Sequence, residues 1–306
     1  MTQTVLEPWI LLSVMAAFFQ TLRFMLQKKL SMGQLSALGA TFARFAYAAP
    51  FAALLAAGSV IVSGTVIAWP GGLFWVYVLS GGLAQILATW CVVLLFAERN
   101  FAVGITFKKT EVIQTAIVGL IILGDRISLV GFCSILLGLV GVLVLSDAPR
   151  PGETGLFRRF GNRAALLGLA SGAFFAISAV GYRGATLEVA SDIPFLRAML
   201  TVAAVTAAQS VFMALYLRWR EPGELSRVWA SRTTSVWMGL ASLGGSVGWF
   251  TAFTLQNAAY VFAVGQVEVL FSMAASVLFF HERITRRELL GIALVTGSIL
   301  ILVLLG

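Results

Sequence analysis

GITFKKTEVIQTAIVGLIILGDRIS, residues 104–128, poses the central problem of this chain. The stretch has the apolar content of a helix that crosses a bilayer, yet Lys108, Lys109 and Glu111 stand inside it. A helix that starts after the charges does not resolve the conflict. Between Val112 and Asp125 only about 13 residues remain, roughly 20 Å of helix, against a hydrocarbon core of about 30 Å. A spanning helix must therefore begin near Phe101, which places Glu111 close to mid-depth. Each ionised side chain there costs roughly 2.5–3.5 kcal/mol on insertion scales, so the three charges need partners, water or both. Lys108 and Glu111 stand three apart on one helix face and are expected to pair. Lys109 is rotated away by about 100°, and Glu268 or solvent in a central cavity are its candidate partners.

The composition agrees with a membrane setting. Of 306 residues, 59% are apolar and 11% charged, and the mean hydropathy is +0.95. A soluble domain carries about 25% charged residues, so a soluble fold this apolar could not wet its surface. The net charge of +8 is then assigned to loops that set orientation and meet membrane lipids, not to nucleic acid. Cys91 and Cys133 both lie in apolar runs, with no metal or disulfide spacing. The N-terminus has no basic residue before its first apolar run, so that run is expected to be retained as a helix.

Ten apolar segments are long enough to span: 9–27, 37–58, 73–96, 101–123, 127–146, 164–184, 194–217, 234–256, 260–280 and 288–305. A segment rich in Pro, Gly and charge, 147–163, divides them into halves 1–146 and 164–306. The halves share short strings in one order. AFFQ at 17–20 resembles AFFA at 173–176, FAVG occurs at 101–104 and 262–265, and TEVIQ and GDRIS are similar to VEVLF and HERIT. Five helices per half is an odd number, so the second half must enter the membrane from the opposite face. The expected fold is all-α and polytopic: ten transmembrane helices as two inverted five-helix repeats around a central cavity. Loops after the odd-numbered helices hold fourteen Lys and Arg, against Arg126 and Arg183 in the others. That bias puts the first set in the cytoplasm and both termini outside.

These motifs resemble the drug/metabolite transporter superfamily, and the EamA-type ten-helix exporters most. GDRIS at Gly124–Ser128 and HERIT at His281–Thr285 are similar to that family's turn after the fourth helix of each repeat. Glu111 and Glu268 fall where the family usually has Glu-Pro, with Val112 and Val269 here in place of the proline. The resemblance implies export of small metabolites or drugs across a bacterial inner membrane, amino acids among them. Within the family, the aromatic amino-acid exporters (the YddG-type group) are the preferred subgroup. The family is usually drawn with cytoplasmic termini, opposite to the loop charges of this chain.

The spans hold five cations away from the outer ends (Arg23, Arg44, Lys108, Lys109, Arg197) and two anions, Glu111 and Glu268. That excess suits a zwitterionic or carboxylate-bearing cargo moved by alternating access. Lys108 or Arg23 would meet the carboxylate, Glu111 or Glu268 the ammonium, and Trp90 or Trp249 an apolar side chain. Gln20, Arg23 and Gln27 form a polar stripe on the first helix. With Tyr77, Gln85, Gln114 and Gln256, the stripe is expected to line water or substrate. Arg44 and Arg197 are expected to snorkel from helix ends. Trp9, Trp69, Trp75, Trp219, Trp229 and Trp237 suit an interfacial belt. No catalytic cluster, cofactor loop or metal spacing appears, so the chain is not expected to be an enzyme. Two rivals remain: a proton-coupled exporter of organic cations or drugs, and a membrane scaffold that transports nothing.

Overall fold

The computed structural model describes residues 7–65, 68–96, 107–145, 163–271 and 285–305, less the side chains of residues 145 and 288. They form α1 (Pro8–Ser31), α2 (Ala37–Ser63), α3 (Gly72–Phe96), α4 (Glu111–Leu123), α5 (Leu129–Leu145), α6 (Arg163–Leu187), α7 (Pro194–Arg220), α8 (Glu224–Ala230), α9 (Arg232–Leu255), α10 (Ala258–Gly265) and α11 (Arg286–Leu305). There are no strands among the described residues. Each of the ten expected segments contains a helix. Five of them, α1, α2, α3, α6 and α7, are by themselves long and apolar enough to cross a membrane. The linker at 147–162, the first FAVG string and most of HERIT lie outside the described residues.

Local chemistry sets the helix ends. Pro8 and Pro194 open α1 and α7 at positions whose N–H would have no helical partner. Gly64 and Gly124 close α2 and α4 with φ of 60° and 68°, a left-handed conformation that costs glycine nothing. Outside, Leu54, Ile61, Val62, Ile121 and Leu215 are exposed, the surface that lipid tails require. Trp69, Trp219, Trp229 and Trp237 are exposed as belt residues would be. Trp9 is a correction: it is buried, and its indole N–H donates to Glu7 Oε2 at 2.5 Å.

The most extensive packing joins α3 to α6, α1 to α9, α5 to α11 and α2 to α7. Small residues let backbones meet at two of these seams. A Cβ on Gly181 of α6 would stand 3.1 Å from Gly81 Cα of α3, and one on Gly248 of α9 would stand 2.8 Å from Leu12 O of α1. The G-x-x-x-G pair Gly244 and Gly248 thus faces α1 through Phe19, Ala16 and Leu12.

At one end, α8 caps the start of α2. The Ser36 Oγ accepts from the Gly39 N–H at 2.9 Å and donates to Glu221. The Ser36 N–H donates to Glu224 Oε1 at 2.6 Å. Glu224 is fully buried and paired with Arg227, and it fills the space that a side chain on Gly39 would occupy. A carboxylate at a helix N-terminus is favourable, which accounts for a buried glutamate here. Ser36→Ala removes both hydroxyl bonds and is expected to cost about 1–2 kcal/mol, read as a lower thermal midpoint of the detergent-solubilised protein. An unchanged midpoint would show that this junction carries no stability.

Candidate functional site

The sequence predicts unbroken helices through both glutamates. The helical ladder tightens beside each, with Thr110 and Gln266 still in right-handed helical conformation. Residues 107–108 are helical, Lys109 and Thr110 form a turn, and α4 starts at Glu111. Likewise α10 ends at Gly265, Gln266 forms a turn, and helix resumes at 267–271, around Glu268. Both turns are tightened to i→i−3 bonds, Thr110 N to Phe107 O at 3.2 Å and Gln266 N to Ala263 O at 3.2 Å. Neither has a proline. Glycines admit the neighbours that brace them. On α6, a Cβ at Gly172 would lie 3.1 Å from Lys108 O and 3.4 Å from Glu111 N. At Gly265 a Cβ would strike the Trp249 indole at 2.5 Å.

Two ion pairs sit at these turns. Lys108 Nζ is 2.9 Å from each oxygen of Glu111, with the two side chains 3% and 8% exposed. Phe175 adds a ring face 4.8 Å from the same ammonium. Lys109 Nζ lies 3.3 Å from Glu268 Oε2, and this second pair joins elements 159 residues apart. Gln20 Nε2 donates to the same Glu268 oxygen at 3.0 Å, and Trp249 Nε1 donates to Gln20 Oε1 at 3.3 Å. A chain of polar contacts thus runs from α9 through α1 to the helical residues 267–271 that follow α10.

Beside the pairs lies a pocket bounded by Gln20, Lys108, Glu111, Phe175, Trp249, Phe262, Gly265 and Glu268. A larger pocket shares Gln20, Phe175, Trp249 and Phe262 with it. The wall of the larger pocket is aromatic, with Phe45, Tyr182, Phe250 and Phe253 added, and it carries polar groups at Arg44, Gln85, Ser178 and Gln209. Trp249 stacks on Phe253 at 5.9 Å and meets Phe262 edge-on at 5.4 Å. Tyr182 stacks on Phe250 at 4.3 Å, and its hydroxyl accepts from Gln209 at 3.2 Å.

Of the residues singled out from sequence, Gln20, Gln85, Lys108, Glu111, Trp249 and Glu268 line these pockets. Arg23, Tyr77, Trp90, Gln114 and Gln256 do not. Arg23 is buried and donates to Gln27 Oε1 at 2.9 Å, and Gln27 reaches Ala40 O on α2 at 3.5 Å. The stripe spans two turns, and only its first member reaches the pocket. Tyr77 packs against the Gly184 site on α6. Gln114 donates to Thr110 at 3.0 Å, and Gln256 accepts from its own neighbour, Asn257 N, at 2.8 Å. Arg44 overturns the snorkelling expectation. It is buried in the pocket wall, with Nε 2.9 Å from Ser242 Oγ and Nη1 2.7 Å from Thr89 Oγ1. Arg197 stays near the start of α7, donating to Thr186 O at 2.7 Å. Tyr182 and Gln209 were missed. Each is a polar group inside an apolar run, which is the signal that marks them.

These features define a polytopic all-α membrane protein with a polar and aromatic pocket among its helices. Residues 162–304 match the model of the EamA-like transporter family, a family of transporters and not of enzymes. A solved crystal structure aligns with a TM-score of 0.66 at 16% identity, covering 95% of this chain and 99% of that one. At that identity the likeness is one of fold. No curated protein matches.

Proposed function

We propose that the whole chain is a secondary transporter of the bacterial inner membrane that exports small metabolites, amino acids with aromatic or apolar side chains first among them, by alternating access. The observation that carries this is the meeting of two tightened helical turns, two buried ion pairs and an aromatic pocket at one place. Buried charges at bilayer depth are costly unless they serve a site, and such transporters place their sites near mid-depth between the repeats.

Two inverted repeats, 1–146 and 164–306, joined by 147–163, fit the reciprocal packing. First-half helices 1, 2, 3, 4 and 5 contact second-half helices 3, 2, 1, 4 and 5 respectively, with α8 outside the count. Exchanging the halves maps that scheme onto itself, and α4 meeting α10 brings both glutamates to one region. The orientation with both termini outside rests on the loop charges. Proton-coupled export of organic cations is less well supported, because Lys108 and Lys109 already engage the two glutamates.

The test is flux in liposomes that hold only the purified protein, against a panel of amino acids, amines and nucleotide sugars. Aromatic and apolar amino acids are expected to move at least tenfold faster than in protein-free vesicles. Flux of none of them would refute the transporter assignment and favour a scaffold, and flux of amines alone would favour the cation exporter.

A further inference from the structure

The charges around the pocket do not cancel. Around the pocket Arg23, Arg44, Lys108 and Lys109 are buried cations, and among the described residues Glu111 and Glu268 stand against them; the other buried glutamate, Glu224, pairs with Arg227 at the start of α2. Glu111 and Glu268 are each engaged by one lysine, at 2.9 Å and 3.3 Å. That leaves the two arginines without a carboxylate partner among the described residues, and of the two only Arg44 lines the pocket.

Around Arg44 every acceptor is neutral. Nε and Nη1 donate to the Ser242 and Thr89 hydroxyls at 2.9 Å and 2.7 Å. The Gln85 amide satisfies its neighbours only with its oxygen toward the guanidinium, 3.1 Å from Nη1 and 3.0 Å from Nη2, and its nitrogen toward Ser178 Oγ. These bonds hold the guanidinium plane in place and leave its charge uncompensated. Of the guanidinium's five N–H groups these oxygens take four, which leaves one N–H on Nη2, and the positive charge, to meet a carboxylate. Tyr182, Phe250 and Phe253 line the same pocket, a surface for an apolar body beside that N–H.

We propose that Arg44 is the docking group for a carboxylate on the cargo, which fixes the cargo class as carboxylates with an aromatic or branched apolar body and excludes amines that lack the acid. This rests on the transporter function proposed above and names the group that recognises its substrate. It assigns to Arg44 the role expected from sequence of Lys108 or Arg23.

The probes are phenylalanine, 3-phenylpropionate and phenylalaninamide, which share one ring and differ in acid and amine. In liposomes the wild-type chain is expected to move the two acids and reject the amide by at least tenfold. Arg44→Gln is expected to lower acid flux at least tenfold, and Arg44→Lys is expected to retain part of it. Equilibrium binding to the unmodified protein, followed by the part of the tryptophan fluorescence that Trp249→Phe removes, needs no altered arginine to fold. It is expected to respond to both acids and not to the amide. Equal response to acid and amide, or Arg44→Gln vesicles that still prefer the acids, would overturn the assignment. If no probe is transported but the fluorescence distinguishes acid from amide, the transport function fails and the Arg44 site stands.

Discussion

Glu111→Gln is expected to destabilise the protein by about 3–5 kcal/mol, the loss that follows when one partner of a buried ion pair is removed and the other stays charged. Lys108 has few alternatives. Its side chain is 3% exposed, and both Glu111 oxygens stand 2.9 Å from its nitrogen. The Phe175 ring, 4.8 Å away, offsets about 0.5–2 kcal/mol. Removing both charges together is a different experiment. Lys108→Met with Glu111→Leu leaves no uncompensated ion, and replacing a buried pair by apolar residues of similar size is often neutral. The double variant is therefore expected to unfold within about 1 kcal/mol of wild type. If Glu111→Gln unfolds like the wild type in detergent, water reaches Lys108 and the pair is not the dry contact that the distances describe. The double variant separates structure from function: normal stability with lost flux would place the charges in the transport cycle and not in the fold.

The helices and the first ion pair were legible in the sequence because both are local. Apolar runs of about 20 residues have one low-energy arrangement in lipid, and a Lys–Glu spacing of three puts both groups on one face. The second pair was legible only as an alternative, since Lys109 needed a partner and Glu268 or cavity solvent could each supply it. What could not be read were facts about which side of a helix meets which neighbour. Trp90 and Trp249 look alike in sequence, both deep in apolar runs. Gly265 opposite Trp249 makes room for an indole at the pocket, and nothing within either segment announces that. Arg44 sits eight residues into α2, where a long side chain can turn outward or inward. The hydroxyls of Thr89 and Ser242, from α3 and α9, decide it. The turns at Lys109–Thr110 and Gln266 have no Pro to mark them, and α8 has only seven residues, too few for an apolar period to show. The aromatic wall is the same kind of fact: Tyr182 and Phe250 stack across two helices whose adjacency is tertiary.

Gly248→Leu is expected to abolish transport while the same change at Gly297 leaves it intact. On α9, a Cβ at 248 would lie 2.8 Å from both Leu12 O and Ala16 Cβ of α1. Neither is the flexible end of a long side chain, so the clash can be relieved only by parting the helices. Overpacking a tight contact costs about 1–3 kcal/mol, and helix association in lipid depends on such close approach. The functional cost should be larger than the stability cost because of what lies one turn along α1. Gln20 follows Ala16 by four residues, and it accepts from Trp249 and donates to Glu268. Moving α1 outward breaks that link and shifts a wall shared by both pockets. Gly297, on α11, has no described residue within 4 Å of its Cβ position, so leucine there meets none of the described helices. Flux in liposomes is expected to fall at least tenfold for Gly248→Leu and less than twofold for Gly297→Leu, with both variants monodisperse in detergent. Equal flux from the two would mean that the α1–α9 seam yields without disturbing Gln20, and that the polar chain from Trp249 to Glu268 is not needed for transport.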